Sequence, residues 1–374
     1  MIRIVYVIPS LSVGGTEWQL IYLVRGLAKD HEMSIICTRH DGALAGDARR
    51  AGAYVRVVGS RFGGWDFTIT RKLARMFRGF RPDVVHLFMF GFDLWPALAA
   101  RQAGVPVVVS SRRQLATWQK RRHVWIQRRA NKLVDCIVAN SRAVAEFAMK
   151  QEGADAGLLR IIPNGVCADE FVSNVELRQA RRRYGIPLNT HVIGIVANFT
   201  PVKDYPVFVN MAQALLRRRT DLHFLMVGAG PDVSRIERLI EKRGLRDYFT
   251  RISTISERPD LYALMDVFVL CSREEGFPNA LIEAMAAGRP VVVAARGGML
   301  EAVSEGVTGR LVQSRAPEDF ADAVAWVLDH PADSRRMAAQ AAQYVREELA
   351  MEAMVARYRA LYAELLAGKR RKGR

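Results

Sequence analysis

Residues 267–293, VFVLCSREEGFPNALIEAMAAGRPVVV, admit few folds. The apolar run over 267–270 has the length and composition of a buried strand. A polar loop spans 272–278, and Asn279 stands where a helix cap belongs, ahead of strong helix formers over 280–287. Gly288 is placed as a stop, Pro290 bars continuation, and 291–293 read as the next strand. The result is a strand, a loop, a helix and a second strand, with Glu274 and Glu275 in the loop just before the helix. Glu283 lies about 6 Å along that helix at 1.5 Å per residue.

The rest of the chain repeats the pattern. Strand-like runs are expected at 2–8, 33–38, 54–58, 83–88, 106–110, 134–139 and 159–163, with helix-length segments between them. A second series follows at 191–197, 222–228, 249–255, 266–270, 290–294 and 309–313. Alternation of this kind predicts parallel sheets covered on both faces. With 374 residues the chain suits two domains. The boundaries read as 1–166, a polar Arg-rich connection at 167–188, 189–350, a last helix at 351–368, and a basic tail at 369–374 expected to be disordered. The turn after the first strand, Gly14-Gly15, is not a G-x-G-x-x-G, which argues against a dinucleotide-dependent dehydrogenase.

Charge narrows the ligand. There are 55 Lys and Arg against 38 Asp and Glu, a net +17, which calls for a nucleic acid, an anionic membrane or a phosphorylated ligand. No nucleic-acid-binding signature is present, so no nucleic acid is expected. The two carboxylates around a helix start enclose free N–H groups and a positive dipole end. That suits a ligand anionic in its middle and hydroxylated at both ends, such as a sugar nucleotide. No D-x-D pair occurs, so no metal or other cofactor is expected. The four cysteines are scattered, three of them in apolar runs, and read as buried free thiols of a reducing compartment. No apolar run reaches the ~20 residues of a membrane span. The N-terminus lacks a signal-peptide pattern, which makes the cytoplasm the expected location.

Five phrases, in order, carry a resemblance: GGTE (14–17), PDVVH (82–86), IIPNGV (161–166), NFTPVKD (198–204) and EEGFPNALIE (274–283). Together they resemble the GT4-type retaining glycosyltransferases, the glycosyl transferases group 1. The resemblance implies a GT-B fold: two facing Rossmann-like domains with a C-terminal helix crossing back to the first. It also implies transfer of a hexose-type sugar from a nucleotide-diphosphate sugar to a saccharide or lipid-linked acceptor, as in cell-surface polysaccharide or lipopolysaccharide biosynthesis.

By the same resemblance, Gly15 lets backbone approach the donor diphosphate and Lys203 neutralises it. Glu275 touches the donor sugar with Gly276, Phe277, Pro278 and Asn279, and Glu283 holds the ribose. Asn198 stands where the family phrase G-R-L-x-x-x-K-G has arginine. As a donor-binding residue Asn198 can give a phosphate one hydrogen bond but cannot neutralise it, so either Lys203 and helix dipoles suffice or another arginine, Arg273 or Arg258, substitutes. His86 closes the PDVVH phrase and is a candidate at the reacting centre. Phe88 occupies the second position of the family's H-x-H.

Two basic stretches lie in the acceptor-side half. Residues 71–81 carry Lys72 and four arginines. Residues 110–132 interleave Arg112, Arg113, Lys120, Arg121, Arg122, Arg128, Arg129 and Lys132 with Trp118 and Trp125. Cationic helices with tryptophan on the apolar side suit an anionic membrane surface, here the inner face of the plasma membrane. Two other readings are a nucleotide-sugar epimerase on a GT-B-like fold and a non-enzymatic binder of anionic lipid or nucleic acid.

Overall fold

The computed structural model describes residues 1–59, 68–89, 92–173, 175–253 and 258–372; the side chains of Arg258, Pro259 and Lys372 lie outside that description. The chain divides into two compact units. One is Met1–Gly165 with Met351–Arg374, and the other is Val166–Ala350.

The first unit runs β1 (Arg3–Ile8), α1 (Gly15–Leu27), β2 (Glu32–Cys37), α2 (Ala45–Arg50), β3 (Ala53–Val57), α3 (Thr68–Phe80), β4 (Val84–Leu87), α4 (Leu94–Gln102), β5 (Val107–Arg112), α5 (Arg121–Asn131), β6 (Cys136–Ala139), α6 (Arg142–Lys150) and β7 (Leu159–Ile161). Its seven strands lie in the order β3-β2-β1-β4-β5-β6-β7, all parallel. Strands such as β4 and β6 are buried at every position, because helices cover both faces of the sheet. One core layer joins Leu20 and Val24 of α1 to the sheet, and the other joins Leu73 and Phe77 of α3. The order reverses between β1 and β4. With right-handed crossovers this puts α1 and α2 on one face and α3, α4 and α5 on the other.

The second unit runs α7 (Leu177–Arg183), β8 (His191–Val196), α8 (Tyr205–Leu216), β9 (Leu222–Val227), α9 (Val233–Lys242), β10 (Phe249–Ile252), α10 (Arg258–Ala263), β11 (Val267–Leu270), α11 (Asn279–Ala286), β12 (Val291–Ala294), α12 (Met299–Ala302), β13 (Arg310–Val312), α13 (Pro317–Asp329) and α14 (Pro331–Glu348). Six parallel strands are ordered β10-β9-β8-β11-β12-β13, reversing between β8 and β11. The stretch read as a connection holds a helical turn at Ala168–Phe171 and then α7, and Phe171 is buried in the core of this unit.

The last helix, α15 (Met351–Lys372), belongs to the first unit, where it packs on α1 and buries Tyr358 and Tyr362. It does not give way to a disordered tail at 369. The helix continues through Lys372, with Lys369 Nζ 2.6 Å from Asp135 Oδ1. Basic residues in a last turn favour the negative end of the helix dipole, which is why a basic sequence remains helical here. Gly373 and Arg374 lie outside the described residues.

The charge is divided unequally. The first unit carries 32 Lys and Arg against 14 Asp and Glu, and the second carries 23 against 24. On α5, Arg121, Arg122, Trp125, Arg128 and Arg129 are exposed on one face, while His123, Ile126 and Gln127 are buried on the other. Trp125 is 55% exposed and its ring lies under the Arg129 guanidinium at 4.9 Å. The tryptophan thus stands inside the cationic face and not on its apolar side. Helix α3 likewise exposes Arg71, Lys72, Arg75 and Arg78. Arg112 and Arg113 do not belong to this surface. Arg112 is 6% exposed and held by Asp93 at 3.0 Å and Glu152 at 2.6 Å. Among the described residues no helix is long and apolar enough to cross a membrane.

Candidate active site

In open parallel sheets, ligands bind beyond the carboxyl ends of strands where the order reverses. In the second unit that point lies between β8 and β11, so the loops 197–204 and 271–278 form its walls. The first loop is stiffened by Phe199 stacked on Tyr205, with centroids 3.9 Å apart, and by Tyr205 OH donating to Ala197 O at 2.6 Å. Gly228 presses on it from β9. A Cβ there would fall 2.1 Å from Ala197 O, so only glycine fits. The first glycine of the run VGAGP (227–231) is therefore explained by this close approach.

The two walls are tied together. Arg273 N donates to Val202 O at 2.8 Å, and Lys203 Nζ is paired with Glu275 Oε1. Ser272 Oγ donates to the same Oε1 at 2.7 Å. Both partners of the ion pair are mostly buried, with side-chain exposures of 22% and 11%. Glu275 Oε2 makes no hydrogen bond among the described residues.

A third loop supports the second wall. Gly298 N donates to Glu275 O at 3.0 Å, and a Cβ on Gly298 would lie 1.7 Å from Gly276 O. Gly298 thus lets its loop close against the Glu275 loop. Helix α11 opens beside Glu275 with its first N–H groups not committed to helical bonds. Its cap is Pro278, in extended conformation, and Asn279, the residue expected to cap it, is the first helical residue. Proline serves there because a cap position needs no N–H within the helix. Glu283 is 6% exposed and accepts from Tyr262 OH at 2.8 Å. Asn198 is exposed and makes no side-chain hydrogen bond among the described residues. The side chain of Arg258 lies outside them.

The corresponding reversal in the first unit lies between β1 and β4. Gly14 caps α1, and Gly15 begins it, exposed. Glu17 folds back over Gly14, close enough that a Cβ on Gly14 would meet Oε2 at 2.4 Å. Burial pushes the Glu17 carboxyl up to about 7, against the opposing pull of Arg113. Arg113 is hydrogen-bonded to Asn164 and lies over the Phe88 ring at 5.8 Å.

His86 is placed differently from its candidate role at a reacting centre. It is fully buried, with Nδ1 2.7 Å from Tyr362 OH and Nε2 2.8 Å from Ser111 Oγ. Burial lowers its pKa well below the ordinary histidine range, so the ring stays neutral. Both nitrogens are spent on joining β4 to β5 and to α15, which leaves none for a substrate. Sequence reasoning missed Glu17 and Arg113 as a pair; the GGTE phrase held the first, and nothing local marked the second.

Two parallel-sheet Rossmann-like units of this kind, with a last helix returned to the first, define the GT-B fold. The chain matches the family model for glycosyl transferases group 1 over residues 177–344 and that for glycosyltransferase family 4 over residues 13–170. The alpha-D-kanosaminyltransferase of Streptomyces kanamyceticus is 30% identical over 293 residues, covering 72% of this chain and 74% of that one. The chain belongs to this family of glycosyltransferases.

The D-inositol 3-phosphate glycosyltransferase 2 of Catenulispora acidiphila is 33% identical over 209 residues, 53% of this chain and 48% of that protein. The chain spans about half the length of the curated D-inositol 3-phosphate glycosyltransferases it matches. Among solved structures, Anabaena Alr3699/HepE in complex with UDP-glucose superposes with a TM-score of 0.86 at 21% identity, over 98% of this chain and 100% of that one. WaaG, a glycosyltransferase involved in lipopolysaccharide biosynthesis, superposes at 0.77 with 15% identity, over 95% and 98%.

Proposed function

We propose that this glycosyltransferase moves a hexose-type sugar, with retention at the anomeric carbon, from a nucleotide-diphosphate sugar to a hydroxyl of a saccharide or lipid-linked acceptor, without a metal ion. The observation that carries the reading is the Lys203–Glu275 pair at the strand-order reversal, beside the opening of α11. In the proposed reaction the bond from C1 to the phosphate oxygen breaks, and the acceptor oxygen bonds to C1 on the same face. The acceptor proton passes to the departing phosphate. Negative charge gathers on that phosphate, where Lys203 and the first N–H groups of α11 receive it. Glu275, with Oε1 held by Ser272 and Lys203, offers Oε2 to a sugar hydroxyl. Glu283 orients the nucleotide ribose.

The cationic face of α5, with Trp125 at its centre, supports work at an anionic membrane surface. This reading extends to a peripheral enzyme on the inner face of the plasma membrane, acting in cell-surface polysaccharide or lipopolysaccharide assembly.

A panel of nucleotide sugars screened by thermal shift tests the donor assignment, since a ligand bound only by the folded state raises the midpoint. One nucleotide sugar should raise it, and sugar transfer from that donor should persist in excess EDTA with the anomeric configuration kept. No shift with any donor, or activity lost in EDTA and restored by a divalent ion, overturns the corresponding part of the reading.

A further inference from the structure

Asn198 leaves the crevice of the second unit one cation short of the family phrase, and we infer that Arg273 supplies it by binding the donor diphosphate together with Lys203. The inference rests on the donor-site reading above and adds a residue to it. Arg273 stands two residues before Glu275 on the same loop, and its backbone N–H is bonded to Val202 O, so its Cα is locked beside Lys203. Its guanidinium reaches Asp204 through Nε at 3.2 Å and Nη2 at 3.3 Å. These are long for a charge-assisted pair, which settles nearer 2.7–2.9 Å. Nη1 has no partner among the described residues, and the side chain is 52% exposed.

Asp204 explains why this arginine is held and yet free to leave. It follows Lys203, at the glycine position of the family phrase, and takes the left-handed conformation that glycine would favour there, φ 51° and ψ 44°. That conformation costs a non-glycine residue on the order of 1 kcal/mol, least for Asp and Asn. The carboxylate is 3% exposed and is bound by Arg315 as well as Arg273. Two guanidiniums on one carboxylate leave one positive charge over, next to Lys203. When Arg273 turns to a diphosphate, Arg315 remains on Asp204, and no buried carboxylate is stranded.

Position decides between the two arginines. Arg273 follows β11, at the strand-order reversal, whereas Arg315 follows β13, the edge strand two places away. A guanidinium is also suited to the task, because its planar fork can bind phosphate oxygens in pairs. An ordinary ion pair that only tethers two loops would use the same atoms, but it would not distinguish one phosphate from two.

Titration calorimetry on the full chain at low salt makes that distinction, with UDP, GDP, ADP and dTDP each measured beside its monophosphate. Arg273→Met should weaken the preferred diphosphate about tenfold or more while leaving the monophosphate within about threefold. Arg273→Lys should recover part of the loss. Arg315→Met, which leaves Arg273 as the remaining counter-ion of Asp204, should weaken the diphosphate about threefold. Unliganded melting curves identify any misfolded variant, in which case Arg273→Lys alone carries the comparison.

An unchanged ratio of diphosphate to monophosphate affinity in Arg273→Met overturns the inference. Lys203→Met separates it from the donor-site reading. Loss of the diphosphate preference there, with Arg273→Met silent, removes only the role of Arg273. A silent Lys203→Met, or a parent chain that binds none of the four diphosphates, removes the donor site and the inference with it.

Discussion

The two units share one architecture and differ in where they keep charge. Each is a parallel sheet with a single reversal of strand order, and each places a loop and a helix start at that reversal. The first unit carries 32 basic against 14 acidic residues, and the second 23 against 24. The surplus of +17 is therefore a property of one half. In the second unit, where the two signs balance, the cations around the crevice are specifically paired: Lys203 on Glu275, Arg273 and Arg315 on Asp204. In the first, they gather on exposed helix faces, as with Arg121, Arg122, Arg128 and Arg129 on α5. Specific pairing suits recognition of one anionic group, whereas a broad face suits an extended anionic surface screened by salt.

The strongest way to break this contrast lies in the second unit. Glu275→Ala and Lys203→Ala should each lower sugar transfer by about a hundredfold or more, since the first removes the group that orients the sugar and the second the cation set against the developing charge. Their circular dichroism should stay near that of the parent, while each melting midpoint falls because the remaining partner of a mostly buried pair loses its counter-ion. Near-normal turnover in both variants would remove the site.

The basic face of the first unit should respond in a different assay. Replacing Arg121, Arg122, Arg128 and Arg129 together by Gln should reduce partitioning onto vesicles rich in anionic lipid by about a hundredfold, at roughly 1 kcal/mol per basic residue near the surface before losses to screening. Binding of a nucleotide sugar should be unaffected. Unchanged partitioning would make that face a merely solvated one.

The smallest expected effect concerns the first unit's own reversal point. Burial holds the Glu17 carboxyl at about 7 when folded, against an ordinary value of 4.5, with Arg113 the charged group facing it. The folded state therefore keeps a proton that the unfolded chain releases between those values. The stability this provides is complete below pH 4.5 and is lost as pH rises through about 7. Glu17→Gln should gain on the parent over that window, by on the order of 2–3 kcal/mol. A difference in melting temperature that is flat from pH 4.5 to 7.5 would contradict the buried placement.

Much of this molecule is legible from residue order. The expected strands over 2–8, 33–38 and 266–270 coincide with β1, β2 and β11, because burial on both faces leaves an unbroken apolar run that local pattern can read. The loop bearing Glu275, the stop at Gly288 and the lysine at 203 were visible in the same way, as turn chemistry and spacing. What local pattern could not supply was partnership. Lys203 meets Glu275 across 72 positions, and Arg315 meets Asp204 across 111. The first pair exists because β8 and β11 are neighbours in the sheet, and the second because the loop after β13 opens at the same end of it, facts of strand order and not of spacing.

The same limit explains the residues read the wrong way. His86 ends a strand at an address where ligands bind, yet Tyr362, 276 positions later, and Ser111 take both its nitrogens. Arg112 sits in a basic run, yet Asp93 and Glu152 draw it inward. Charge and periodicity along the chain determined the elements and the character of the ligand. Which polar groups would be buried, and with whom, was decided only when the sheets brought distant loops together. An ionised side chain enters the interior only where a partner is already in place, and that partner is chosen by the tertiary structure.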